Sequence, residues 1–205
     1  MTFKLLQSSI ALTLVLFASS ARAAPDREPK RGPIPGWVQP VAIPAPDAAQ
    51  KDSPAQVLLL NGQTRMKGDA ASTFFEMAIL PQTVAGLQGN GTLALPWNMA
   101  RTDMTINAIS IVREGKTIDL LKEAKFTILH RENDLERARF DGMRTVVLPV
   151  RGLQIGDILR VAATYDRKPG KELGGLEELS EWEAPFNVVR LDRRLMVDKA
   201  LDMKW

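Results

Sequence analysis

Cysteine is absent from the 205 residues, and histidine and tyrosine occur once each, as His130 and Tyr165. No disulfide can form, so the fold must rest on its packed core. No thiolate nucleophile or thiolate metal ligand exists either. Zinc sites ordinarily use three or four His, Cys or carboxylate ligands, and one histidine does not supply them. A serine relay would need His130 held against a hydroxyl by a third group. No Gly-x-Ser-x-Gly or Ser-x-x-Lys context surrounds any serine, and no Gly-x-x-x-x-Gly-Lys phosphate loop occurs. Asp134, Glu136 and Asp141 lack the Asp-x-Asp-x-Asp-Gly order of a calcium loop. No cofactor and no metal are expected.

Long apolar runs and like-charge clusters are missing too. A membrane-spanning helix needs about 20 apolar residues, and the longest such stretch, Leu5 to Phe17, is too short. A nucleic-acid footprint needs clustered positive charge. The candidates Arg190, Arg193 and Arg194, and Arg137 with Arg139, are interrupted by Asp192, Asp198, Glu136 and Asp141. They read as solvated mixed-sign surface, so no nucleic acid is expected as a partner.

What is present begins with an export signal. Met1 to Lys4 carries one positive charge, Leu5 to Phe17 is mostly apolar, and small residues end in Ala21-Arg22-Ala23. This is the layout of a secretory signal peptide, with cleavage expected after Ala23. The expected destination is the periplasm of a Gram-negative cell, otherwise the medium, with no membrane attachment after cleavage. Lys4 and Arg22 leave with residues 1–23 and no acid does, so the formal charge falls by two, from +3 to +1.

Residues 24–54 hold eight of the thirteen prolines. Proline lacks a backbone donor and favours extended chain. Residues 25–35 are expected to form a flexible leader. Trp37 to Gln39 and Val41 to Ile43 are apolar enough to lie along the domain as an edge segment, since Pro40 and Pro44 exclude a central strand.

Residues 55–205 read as one β domain. Thr73, Phe75, Met77 and Ile79 alternate with Ser72, Phe74, Glu76 and Ala78, so one face should be buried and one nearer water. Asn61-Gly62 reads either as a turn or as a bulged continuation of the strand. Lys67-Gly68-Asp69 is a firmer turn, and Pro81 to Gly91 a loop or short helical turn. Met104, Ile106 and Ala108 share one phase and Ile109 and Ile111 the other, which predicts a β-bulge. Glu114-Gly115 supplies the glycine of a tight hairpin. Asp141-Gly142 and Gly156-Asp157 mark further turns, with the glycines for geometry and the aspartates for local backbone donors. Asp134 to Arg139 could form a brief helix. The predicted class is all-β: an antiparallel sandwich of about nine to eleven short strands with little helix.

The stretch Arg113-Glu114-Gly115-Lys116, then Arg131-Glu132, then Phe140-Asp141-Gly142, then Leu153-Gln154-Ile155-Gly156-Asp157 resembles a known pattern. It is similar to the β-sandwich domain of unknown function that precedes transglutaminase-like domains in exported bacterial proteins. That resemblance covers roughly residues 55–205. It implies a non-catalytic scaffold or partner-binding module, because the family's Cys-His-Asp machinery belongs to the following domain. It lends no catalytic or cofactor-binding residue. Gly115, Asp141, Gly142, Gly156 and Asp157 are its structural turn residues here. The run Lys199 to Trp205 starts another alternating segment, and the expectation is that these residues are the N-terminal part of a longer protein.

Two other functions fit the composition. One is a stand-alone envelope hydrolase using carboxylates among Glu132, Asp134, Glu136 and Asp141. The other is a carbohydrate- or peptide-binding module using Trp97 or Trp182.

Overall fold

The computed structural model describes residues 27–68, 70–130, 143–167 and 187–197. Within them, ten strands build two sheets: β1 (Lys30–Arg31), β2 (Ala55–Lys67), β3 (Ala70–Pro81), β4 (Thr92–Asn98), β5 (Thr102–Arg113), β6 (Lys116–Asp119), β7 (Thr127–His130), β8 (Met143–Pro149), β9 (Ile158–Arg167) and β10 (Val188–Val197). One short helix, α1 (Val84–Asn90), joins β3 to β4, and Ala48–Gln50 makes a single 3-10 turn. The fold is all-β, as the alternation predicts. Ala23, Asp141, Gly142, the Asp134 to Arg139 segment, Trp182 and Trp205 lie outside the described residues.

The larger sheet runs β1-β5-β9-β3-β2-β10, with β6 sharing the outer edge of β5 with β1. The smaller sheet runs β4-β8-β7. The two pack face to face. Leu93, Leu95 and Trp97 of β4 and Val146 and Leu148 of β8 meet Met104, Ile106, Ile109 and Ile111 of β5 and Leu159, Val161 and Ala163 of β9. On β4 the buried residues alternate with exposed Thr92, Ala94 and Pro96. Pro96 is tolerated because β4 is the edge of its sheet. Trp97 is 2% exposed and its indole N–H donates to the Thr102 carbonyl at 3.1 Å. It is a core residue, satisfied at its polar end, and offers no stacking face to a sugar.

The expected bulge in β5 falls between Ile106 and Ala108. It keeps Met104 and Ile106, then Ile109 and Ile111, on the core side. Ala108 is thereby moved to the opposite face, where it pairs with Ala162. Asn61-Gly62 continues β2 without turning, and the chain reverses at Gly68, where φ is 55°.

Three expectations are corrected. The larger sheet is mixed rather than antiparallel: β10 runs parallel to β2 over Val188 to Val197, and β1 parallel to β5. On β3 neither alternating set lies toward water: Phe74, Glu76 and Ala78 are buried, and Phe75 and Met77 are half-buried. The cause is a third layer. Residues 39–47 cross the second face of the larger sheet as a strap, with Val41 and Ile43 packed on Leu58, Leu59, Ala78 and Leu80. Finally, within residues 25–35, the described part is tied down. Lys30 and Arg31 pair with Thr105 and Ile106, and the Arg31 guanidinium lies 5.2 Å from the centre of the Phe126 ring.

Candidate functional site

Two charged assemblies stand out, one at a sheet end and one under the strap. The first joins two of the turns singled out in the sequence. Arg113 ends β5, where the turn to β6 places Glu114 at φ 48° and Gly115 at φ 75°. Two successive positive φ values make a hairpin turn whose twist matches the strands. Asp157 precedes β9, after Gly156 at φ 88°. The hairpin and the β8–β9 loop meet through a two-pronged ion pair. Arg113 Nε donates to Asp157 Oδ1 and Arg113 Nη2 to Oδ2, both at 2.8 Å. The same Nη2 donates to the Gly152 carbonyl at 2.8 Å, and the Gln154 N–H donates to Asp157 Oδ2 at 2.7 Å. Asp157 therefore has the local backbone partner its turn position suggests, and a long-range cation in addition.

The electrostatics follow from these contacts. The hydrogen bond from Arg113 holds the Asp157 carboxyl below its ordinary value near 3.8, against the opposing effect of burial, and the Gln154 N–H adds to the lowering. Arg113 is raised in turn, first by its bond to Asp157. Parallel prongs of this kind fix orientation as well as distance. The pair is a clasp between loops, and its carboxylate is committed to holding them.

The second assembly is a polar line across the face beneath the strap. Gln63 donates to Asn61 Oδ1 at 3.2 Å, and Asn61 donates to Glu76 Oε2 at 3.0 Å. Arg160 Nε and Nη2 both reach Glu76 Oε1 at 2.6 Å. Asn61 of β2 pairs directly with Glu76 of β3, Gln63 lies two residues further along β2, and Arg160 lies two residues from Ala162, the partner of Glu76 on β9, so all four share one face of the sheet. Beside it, Glu76, Arg160, Ser110, Val112 and Thr117 with Val41 and Ile43 of the strap line an open cavity of about 290 Å³.

Glu76, Arg160, Asn61 and Gln63 were not singled out in the sequence. The available signal was a polar residue at a position whose strand neighbours are apolar, as at Glu76 between Phe75 and Met77. Arg131, Glu132, Asp134, Glu136, Asp141 and Gly142 lie outside the described residues. Of His130, the described part is its backbone, paired with Arg144. Among the described residues no cluster of three or more His, Asp or Glu could hold a metal ion.

The profile of a family described as a domain of unknown function with a solved structure, DUF3857, matches residues 69–187, more than half of the chain. The chain belongs to the DUF3857 family. The match takes in both ends of the clasp, Glu76 and Arg160, and starts after β2 and the strap. No curated protein is significantly similar to this DUF3857 chain. Its fold is similar to the crystal structure of a Parabacteroides distasonis protein provisionally named a protease, at a TM-score of 0.51 and 15% identity. The likeness covers 58% of this chain and 24% of that protein, so the chain corresponds to about a quarter of it. At this identity the likeness is one of fold.

Proposed function

We propose that this DUF3857 chain is a non-catalytic exported module that docks on, or positions substrate for, a transglutaminase-like domain. The observation that carries the reading is the Arg113–Asp157 clasp. Two motif segments of the resemblance, the Arg-x-Gly-Lys turn and the Gly-Asp turn, are spent on joining loops to each other. A nucleophile or general base needs a lone pair facing a substrate, and both Asp157 oxygens face protein donors instead. The leader pattern ending at Ala23 supports export to the periplasm or medium.

The test is calorimetric titration of the purified chain with a transglutaminase-like domain from the same organism. Parallel assays of the chain alone would use peptide and glycan substrates. Saturable binding without turnover supports the proposal. Turnover by the chain alone, lost on Glu76→Gln or on substitution of Glu132, Asp134, Glu136 or Asp141, would favour an envelope hydrolase.

A further inference from the structure

The cavity under the strap has the chemistry of a binding site. Its lining is mixed. Val41, Ile43 and Val112 are apolar, while Ser110, Thr117 and Arg160 bring polar groups among them, Thr117 paired directly beside Val112 and Arg160 beside Ser110. At about 290 Å³ it sits at the small end of ligand-binding clefts.

What it can accept is decided by which polar atoms are already used. Both Glu76 oxygens already have donors, Oε1 from Arg160 and Oε2 from Asn61, and its charge is balanced by Arg160. Arg160 spends Nε and Nη2 on Glu76, and its Nη1 makes no hydrogen bond among the described residues. Its side chain keeps 31% exposure. The sharpest sign is Ser110. It lines the cavity, it is 5% exposed, and its hydroxyl is buried without a partner. Buried hydroxyls are almost always hydrogen-bonded, so this unsatisfied one, on a residue that lines the cleft, gains a partner if its side chain turns to meet a ligand oxygen there. The remaining polar groups are two hydroxyls and a guanidinium edge, and guanidinium favours carboxylates.

We propose that this cavity binds a carboxylate carried next to a short aliphatic group, with the carboxylate on Arg160 and Ser110 and the aliphatic part against Val41, Ile43 and Val112. Two sources share that chemistry: a free small branched-chain acid, and the C-terminal residue of an aliphatic-ended peptide. The proposal is independent of docking to a transglutaminase-like domain, and either can fail without the other.

The experiment is an NMR titration of the whole chain with four probes: N-acetylvaline, its methyl amide, and a pentapeptide ending in valine as free acid and as amide. The acids should saturate with Kd on the order of 1 mM, shifting the Ser110 and Thr117 amides, with both amide probes weaker by about tenfold or more. Binding by both acids points to a peptide end, and binding by N-acetylvaline alone to a small acid. Ser110→Ala, which removes one hydroxyl and leaves every ion pair, should weaken binding several-fold. Val41→Trp, which fills the cavity from the strap, should abolish it. Equal affinity for acids and amides, no saturation by either acid up to about 10 mM, or undiminished binding to a folded Val41→Trp chain would each overturn the assignment.

Discussion

Gln63 holds both backbone groups of Gln39: its Oε1 accepts from the Gln39 N–H at 2.9 Å, and its Nε2 donates to the Gln39 carbonyl at 2.7 Å. A side-chain amide here does what a neighbouring strand would do for an extended residue. Gln56 repeats the device on Asp47, accepting from its N–H at 2.9 Å and donating to its carbonyl at 3.1 Å. The side chain of Gln39 also bonds Arg194 of β10. Two buried glutamines on β2 thus fasten a proline-rich strap that has no strand partner of its own.

Replacing Gln63 by Ala should detach the strap near residue 39. It strands a backbone donor, a backbone acceptor and the Asn61 side-chain oxygen. Each buried unsatisfied group costs about 1–3 kcal/mol, and partial hydration of a freed strap offsets some of this. The expected loss is about 2–4 kcal/mol by urea unfolding. Amide exchange at Gln39 should quicken, while exchange at Val161 in the core should change only through global stability.

Two glycines of α1 should respond in opposite directions. A Cβ on Gly86 would run into the Pro54 carbonyl, which is backbone and itself accepts from the Gln82 and Thr83 N–H groups. Gly86→Ala should destabilise by about 2–4 kcal/mol. A Cβ on Gly89 meets nothing within 4 Å. Gly89→Ala should stabilise by about 0.5–1 kcal/mol, because alanine loses less entropy in a helix. Thermal unfolding of the two variants checks both signs.

Tyr165 is the single tyrosine, and burial pushes its phenol up to about 12. The folded state therefore prefers the neutral phenol. Its contribution to stability is intact below the unfolded value near 10 and is lost as pH rises from there toward 12. Ultraviolet difference absorbance should show the phenolate appearing near pH 12 in the folded chain and near 10 in denaturant.

The clasp gives an acid limb. The folded value of Asp157 lies below its unfolded one, so the clasp stabilises fully above the ordinary value near 3.8 and is lost as pH falls below it. The urea midpoint should be flat through the neutral range and drop below about pH 4. In Asp157→Asn it should start lower at neutral pH, and the drop should be shallower.

How much of this was readable from sequence depended on range. The β5 bulge was legible, because a one-residue phase change between Ile106 and Ile109 is a local pattern. So was the Glu114-Gly115 hairpin, since few residues accept its φ values. The parallel pairing of β10 with β2 was not, because it depends on contacts more than a hundred residues apart that leave no local signature. The buried polar residues of β2 and β3 were missed for a related reason. Gln56, Asn61, Gln63 and Glu76 look like solvent-facing residues until the strap, encoded upstream, is laid over them. The Arg113 and Asp157 turns were each visible as turns. That they are joined follows only once β5 and β9 are seen side by side.

The central claim is that the Arg113 and Asp157 turns hold the fold and do no chemistry. The most direct test measures two properties of Asp157→Asn together: its urea midpoint at neutral pH, and its calorimetric binding to a transglutaminase-like domain under conditions where it is fully folded. A lowered midpoint with partner affinity unchanged is the expected result. An unchanged midpoint accompanied by lost binding, or by loss of a turnover that the parent chain displays, would contradict it.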